Sequence, residues 1–159
     1  MRLFIATPIT LPLYSFIKDE LKDLIVGNWT LASNLHLTHY FIGKGDPEKY
    51  KFKLDIPKEK IIVKDFDFFN NKIFYMKAFC ENINKINSQI CDILNTKSNF
   101  KPHITLCRIK QIKNKDKVFD KLEDLKKKNL KFKNNFEVFL YSSTLTPKGP
   151  IYKKIYKYK

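Results

Sequence analysis

The sequence predicts an α+β domain, and three observations carry that expectation. Strand-like stretches come interspersed with helical ones. The apolar positions switch between a period of two and a period of three to four. A short pattern, His-x-Thr, occurs once in each half of the chain, each time inside a strand-like run.

Taken in order, "RLFIAT" at 2–7 reads as a short buried strand, with Pro8 and Pro12 marking the turn after it. From Pro12 the residues Leu13, Phe16, Ile17, Leu21, Leu24 and Ile25 recur at helical spacing, which predicts an amphipathic helix ending near Gly27. Residues 35–42 form the first His-x-Thr strand, stopped by "GKGDP". After a lysine-rich connection, "IIVKDFDFF" and "KIFYMKAF" are β-rich segments, and the Asn70-Asn71 pair between them predicts a hairpin. Residues 82–95 place Ile83, Ile86, Ile90, Ile93 and Leu94 on one helical face. The second His-x-Thr strand, 103–109, follows. A lysine-rich helix around 116–128 leads into "FEVFLYSS", and "PIYKKIYKY" closes the chain as an alternating strand. The arrangement suggests two similar halves that share little sequence beyond His-x-Thr.

At 159 residues, 43% hydrophobic and 14% aromatic, the chain corresponds to one folded domain, 1–159, and its composition argues against disorder. A net charge of +15 favours polyanionic partners through a long-range, salt-screened field. Abundant Lys, Asn, Ile and Phe with little Gly and Arg is also what an A- and T-rich codon bias produces, so the charge alone does not define a function. Three cysteines without C-x-x-C spacing indicate neither a disulfide framework nor a zinc knuckle, and point to a reducing, cytoplasmic setting. The longest uncharged run, "LFIATPITLPLYSFI", is too short to span a bilayer, contains two prolines and lacks the features of a signal peptide, so no membrane association is expected.

Only three histidines occur, and two of them, His36 and His103, open the two His-x-Thr patterns. Residues i and i+2 of a strand share a face, so His36 projects with Thr38 and His103 with Thr105. If the halves face each other, two imidazoles and two hydroxyls converge on one cleft. Such a site suits cleavage of a phosphodiester, where one proton leaves the attacking water and another reaches the departing oxygen. Imidazole titrates near neutrality and can serve either role, and threonine hydroxyls can donate to phosphate oxygens as charge grows on them. Each residue has a structural reading as well: histidine in an apolar run is often a hydrogen-bonded core residue, and threonine is an ordinary strand former.

His39 has the opposite strand parity to His36 and reads as structural. The same parity disfavours a zinc site built from His36, His39 and Cys107. Arginine supplies a separate signal, because Arg2 and Arg108 are the only two among 31 basic residues. A guanidinium binds two phosphate oxygens in one plane, which lysine cannot copy. Strict alternation puts Arg108 on the face opposite His103, so it joins the site only if a bulge intervenes; otherwise it is a surface or interlobe ion-pair residue.

"NLHLTHYFIG" and "FKPHITLCRIK" resemble the paired motifs of the 2H phosphoesterase superfamily. "RLFIAT" and "LYSS…GPIYKKI" are similar to its RNA 2′,3′-cyclic phosphodiesterase branch, once called 2′-5′ RNA ligases. The resemblance covers residues 2 to about 156. It implies a bilobal α+β fold: two lobes related by a pseudo-twofold axis, antiparallel sheets flanking a central cleft, and helices outside. It also implies hydrolysis of an RNA or nucleotide 2′,3′-cyclic phosphate end to a 2′-phosphate, with no metal or other cofactor; a monomer is expected. By position, His36 would be the proton donor and His103 the proton acceptor, while Thr38, Thr105 and Arg108 would hold the phosphate. Two departures stand out: His39 occupies a usually apolar position, and the region after residue 44 is short. A reading from a different class is a non-catalytic basic RNA-binding module.

Overall fold

A computed structural model describes residues Met1–Lys159. The first strand, β1 (Arg2–Pro8), is buried on both faces: Leu3 and Ile5 enter the main core, and Phe4 and Ala6 pack with Tyr141 on the other side. Helix α1 (Tyr14–Leu21) follows and buries Tyr14, Ile17 and Leu21.

Here the chain departs from the periodicity. The helix stops at Leu21, and Ile25–Trp29 form a strand, β2, instead of a last helical turn. Gly27 explains the change. A Cβ at that position would run into the carbonyl group of Arg108, so the glycine lets β2 lie close against its neighbour. Strand β3 (His36–Lys44) carries the first His-x-Thr. The hairpin is present as β4 (Ile61–Phe69) and β5 (Ile73–Phe79), with Asn70 at φ 53° in the turn. Helix α2 (Lys85–Leu94), strand β6 (His103–Ile112) and helix α3 (Lys115–Lys127) come next. A short strand missed by the sequence reading, β7 (Phe132–Asn134), precedes β8 (Val138–Thr146) and β9 (Gly149–Tyr158).

Two antiparallel sheets result, with orders β3-β1-β8-β9 and β2-β6-β5-β4-β7. They do not follow the two halves of the sequence. The C-terminal β8 and β9 complete the sheet begun by β1 and β3, and the N-terminal β2 joins the other. Edge strand β3 lies alongside β6, so the two motif-bearing strands meet at the junction of the lobes. Helix α1 contacts α3, where Lys121 pairs with Glu20 at 3.0 Å, and α2 packs on β3, where Asn87 Nδ2 donates to the His39 carbonyl at 2.7 Å.

Candidate active site

Strand pairing defines which side chains share the open face. Thr38 lies opposite Ala6, and His36 opposite Pro8, while Thr105 lies opposite Tyr75 and His103 opposite Lys77. Directly opposed residues in a sheet point to the same side. His36 and Thr38 therefore share a face with Phe4 and Ala6, and His103 and Thr105 share one with Tyr75 and Lys77. Their neighbours Leu37, Ile104 and Leu106 turn the other way, into the core.

The two imidazoles are mounted alike. His36 donates Nδ1–H to the carbonyl of Asn34 at 2.7 Å, and His103 donates Nδ1–H to the carbonyl of Lys101 at 2.6 Å. Each acceptor is two residues upstream. A carbonyl oxygen can only accept, so in both rings the second nitrogen, Nε2, is left as the atom that takes or gives a proton. Neither Nε2 has an intramolecular partner, and neither is buried. An aromatic ring stands edge-on to each: Tyr152 to His36 at 5.3 Å and 88°, Phe69 to His103 at 4.9 Å and 88°. Burial holds both imidazoles below the ordinary histidine range. The charges of His103 and Arg108 add to the effect at His36, and that of Arg108 adds to it at His103.

Strand register locates Arg108. It is exposed and lies opposite Ile73, which shares a face with Tyr75 opposite Thr105, and its charge reaches His36, His103 and Tyr152. The bulge that the parity argument requires is present. Opposite β5, Phe74 faces Cys107 but Tyr75 faces Thr105, leaving Leu106 as an extra residue in β6. Leu106 and Cys107 are both fully buried in succession, after which Arg108 returns to the side of His103. The Leu106 carbonyl accepts from the Thr30 backbone N–H at 2.8 Å, and the Tyr14 hydroxyl sits between the Thr30 and Leu106 carbonyls, at 2.5 and 3.2 Å.

Strand β3 has a matching bulge. Ile5 faces Tyr40 and Ala6 faces Thr38, so His39 is the extra residue. Past it, Phe41 lies opposite Phe4 and is 62% exposed on the open face. Phe41 thus occupies in the first lobe the position that Arg108 holds in the second. The sequence reading passed over Phe41 and Tyr14, and took Gly27 only as the end of a helix. For Phe41 a signal existed, since aligning "HLTHYF" with "HITLCR" puts it against Arg108.

His39 faces the core as strand parity requires. It is 1% exposed, its ring stacks on Phe136 at 5.5 Å, and a 2.7 Å hydrogen bond joins Nε2 to Thr7 Oγ1. Nδ1 has no partner, and burial pushes the ring down to about 3. His36 and His39 thus lie on opposite faces and cannot share an ion, and Cys107 is buried in the core. No cluster of three or more His, Cys, Asp or Glu side chains suited to a metal occurs elsewhere, and no helix is long and apolar enough to cross a membrane.

Two lobes that each present an imidazole, a hydroxyl and edge-on aromatics to one cleft define the architecture of a 2H phosphoesterase. The family model described as LigT like Phosphoesterase matches residues 77–152. The RNA 2′,3′-cyclic phosphodiesterase of Methanocaldococcus jannaschii is 36% identical over 138 residues, spanning 77% of this chain and 78% of the relative. That of Thermotoga maritima is 28% identical over 99% of this chain and 94% of its own length. The fold is shared with a protein of Thermus thermophilus (TM-score 0.70, 20% identity, 99% of this chain and 97% of that one). It is also shared with Escherichia coli LigT crystallised with NADP+ (TM-score 0.66, 17% identity, 99% and 96%). The chain belongs to the LigT-like phosphoesterase family.

Proposed function

We propose that this protein is an RNA 2′,3′-cyclic phosphodiesterase working through two histidines. The observation that carries the reading is the matched pair of imidazoles, each with Nδ1 tied to a backbone carbonyl and Nε2 turned to the cleft. The names of the relatives support the substrate class.

In the proposed reaction, His103 Nε2 takes a proton from water as the water oxygen bonds to phosphorus. The P–O3′ bond breaks, and His36 Nε2–H delivers its proton to the departing 3′-oxygen, leaving a 2′-phosphate. Thr38 and Thr105 donate to the non-bridging oxygens, and Arg108 holds two of them in one plane. These groups suffice for both proton transfers and for charge neutralisation, and no metal or organic cofactor enters the mechanism. Phe41 offers an exposed ring on which a base can stack. The strand exchange between sheets supports reading residues 1–159 as one unit, and a single chain supplies every group that the proposed reaction uses, so the proposal needs no second copy.

A 5′-hydroxyl RNA end in place of water would yield a 2′-5′ linkage at the same site, and we include that reverse reaction in the proposal. The test is a cyclic-phosphate-ended oligonucleotide incubated with the protein in EDTA and followed by mass spectrometry. Gain of one water is expected. A non-catalytic basic RNA-binding module would instead show salt-dependent affinity and no change in mass.

A further inference from the structure

Beside His103 the second sheet opens into a pocket of about 660 Å³, lined in part by Phe69, Tyr75, Lys77, Phe79, Phe100 and Lys101. It is continuous with the site. Phe69 and Tyr75 both touch the His103 ring, Lys77 lies opposite His103 across the strands, and Lys101 supplies the carbonyl that holds Nδ1. Its volume is in the range of sites for nucleotide-sized ligands and far exceeds what an attacking water needs.

The lining has the makeup of a single-strand RNA surface, in which flat rings stack bases and lysines meet phosphates. Phe79 is 39% exposed, with Lys64 Nζ 4.9 Å from its ring centroid, and Lys101 Nζ lies 5.8 Å from that of Phe69. The first lobe repeats the pattern. There Phe4 and Tyr141 stack at 5.1 Å beside His36, and Lys154 Nζ lies 4.3 Å from the Phe139 ring. Each histidine thus has its own aromatic and lysine surface.

In-line transfer puts the nucleophile and the leaving oxygen on opposite sides of phosphorus. The leaving 3′-oxygen belongs to the ribose that carries the cyclic phosphate, so that strand lies on the His36 side. The His103 side faces the nucleophile. From this we propose that the pocket beside His103 binds the 5′-terminal nucleotide of a second RNA strand, whose 5′-hydroxyl is the attacking group. The inference rests on the acid and base reading above. The step balances without any co-reactant: the 5′-oxygen bonds to phosphorus, and the P–O3′ bond breaks. The 5′-hydroxyl proton goes to His103 Nε2, and the His36 proton goes to O3′.

The experiment compares wild type with Phe79→Ala, at an exposed position, and Lys64→Glu, at a half-buried one, both away from the histidines. A cyclic-phosphate-ended oligonucleotide is mixed with a 5′-hydroxyl oligonucleotide, and joined and hydrolysed products are measured, alongside hydrolysis of a cyclic mononucleotide. Expected is a wild type that does both, and a drop of at least tenfold in the ratio of joined to hydrolysed product in the variants, with mononucleotide hydrolysis unchanged. An unaltered ratio, or a wild type that hydrolyses but never joins, overturns the pocket assignment. So does a variant effect confined to KM for the cyclic-ended oligonucleotide, which would place that strand in the pocket. A wild type inactive on the mononucleotide overturns instead the functional reading beneath it.

Discussion

The Nδ1 hydrogens of His36 and His103 go to equivalent acceptors, the carbonyls of Asn34 and Lys101, each two residues before its histidine. The rings therefore offer the same tautomer to the cleft, and in the proposed mechanism the substrate's orientation distinguishes donor from acceptor. Both are held below the ordinary value of 6.5, chiefly by burial. In the proposed mechanism one is charged and the other neutral, so kcat/KM should be bell-shaped with its optimum on the acid side of 6.5. An anionic substrate favours the imidazolium forms, and the kcat profile should sit at higher pH than that of kcat/KM. Arg108→Gln removes a charge that lowers both rings, so it should move the kcat/KM optimum upward. Coincident profiles in wild type and variant would place Arg108 away from the histidines.

Replacing either His36 or His103 by Ala should lower kcat roughly 10²–10⁴-fold, the contribution of a positioned proton-transfer group. The double variant should lose far less than the product of the two single losses, because the groups act in one step. Steady-state kinetics on a cyclic mononucleotide checks both statements, with circular dichroism confirming the fold.

Arg108→Lys keeps the charge and loses the planar fork, so catalytic efficiency should fall by about 1–3 kcal/mol in transition-state binding. Tyr14→Phe, which removes the hydroxyl that ties Thr30 to the bulge at Leu106 without touching phosphate, should act in the same direction more weakly. Gly27→Ala should reach the same site through stability. Its Cβ meets the Arg108 backbone, which cannot swing aside as a side chain could, at a cost of about 1–3 kcal/mol in urea unfolding.

Core histidine His39 should matter to stability and not to turnover. Its folded value of about 3 lies below the unfolded 6.5, so the unfolded state binds more protons and stability falls as pH drops between the two. His39→Gln cannot titrate. Relative to its own stability at pH 7, it should lose about 2–3 kcal/mol less than wild type on going to pH 4.5. Urea titrations at the two pH values measure the difference, and turnover at pH 7 should remain within a few fold of wild type.

Much of this was legible in the sequence where local pattern and tertiary role agree. Strand parity separated His36 from His39, and the Asn70-Asn71 turn placed the β4–β5 hairpin. It was not legible where long-range packing decides. Leu24 and Ile25 fit a helical stripe, yet Gly27 lets that segment pair with β6 as β2. The three-residue β7 has no periodicity to find and exists because it pairs with Ile61–Val63. The exchange of β2, β8 and β9 between lobes is invisible to an argument from halves. Arg108 sits between these cases: its rarity marked it, but only the bulge at Leu106 brings it round to the cleft.

The most direct test of the central claim is the identity of the product formed from a nucleoside 2′,3′-cyclic phosphate in EDTA, resolved by phosphorus NMR. The account predicts the 2′-phosphate alone, formed by wild type and lost together in His36→Ala and His103→Ala. A 3′-phosphate, or turnover that disappears in EDTA and returns with zinc, would contradict it.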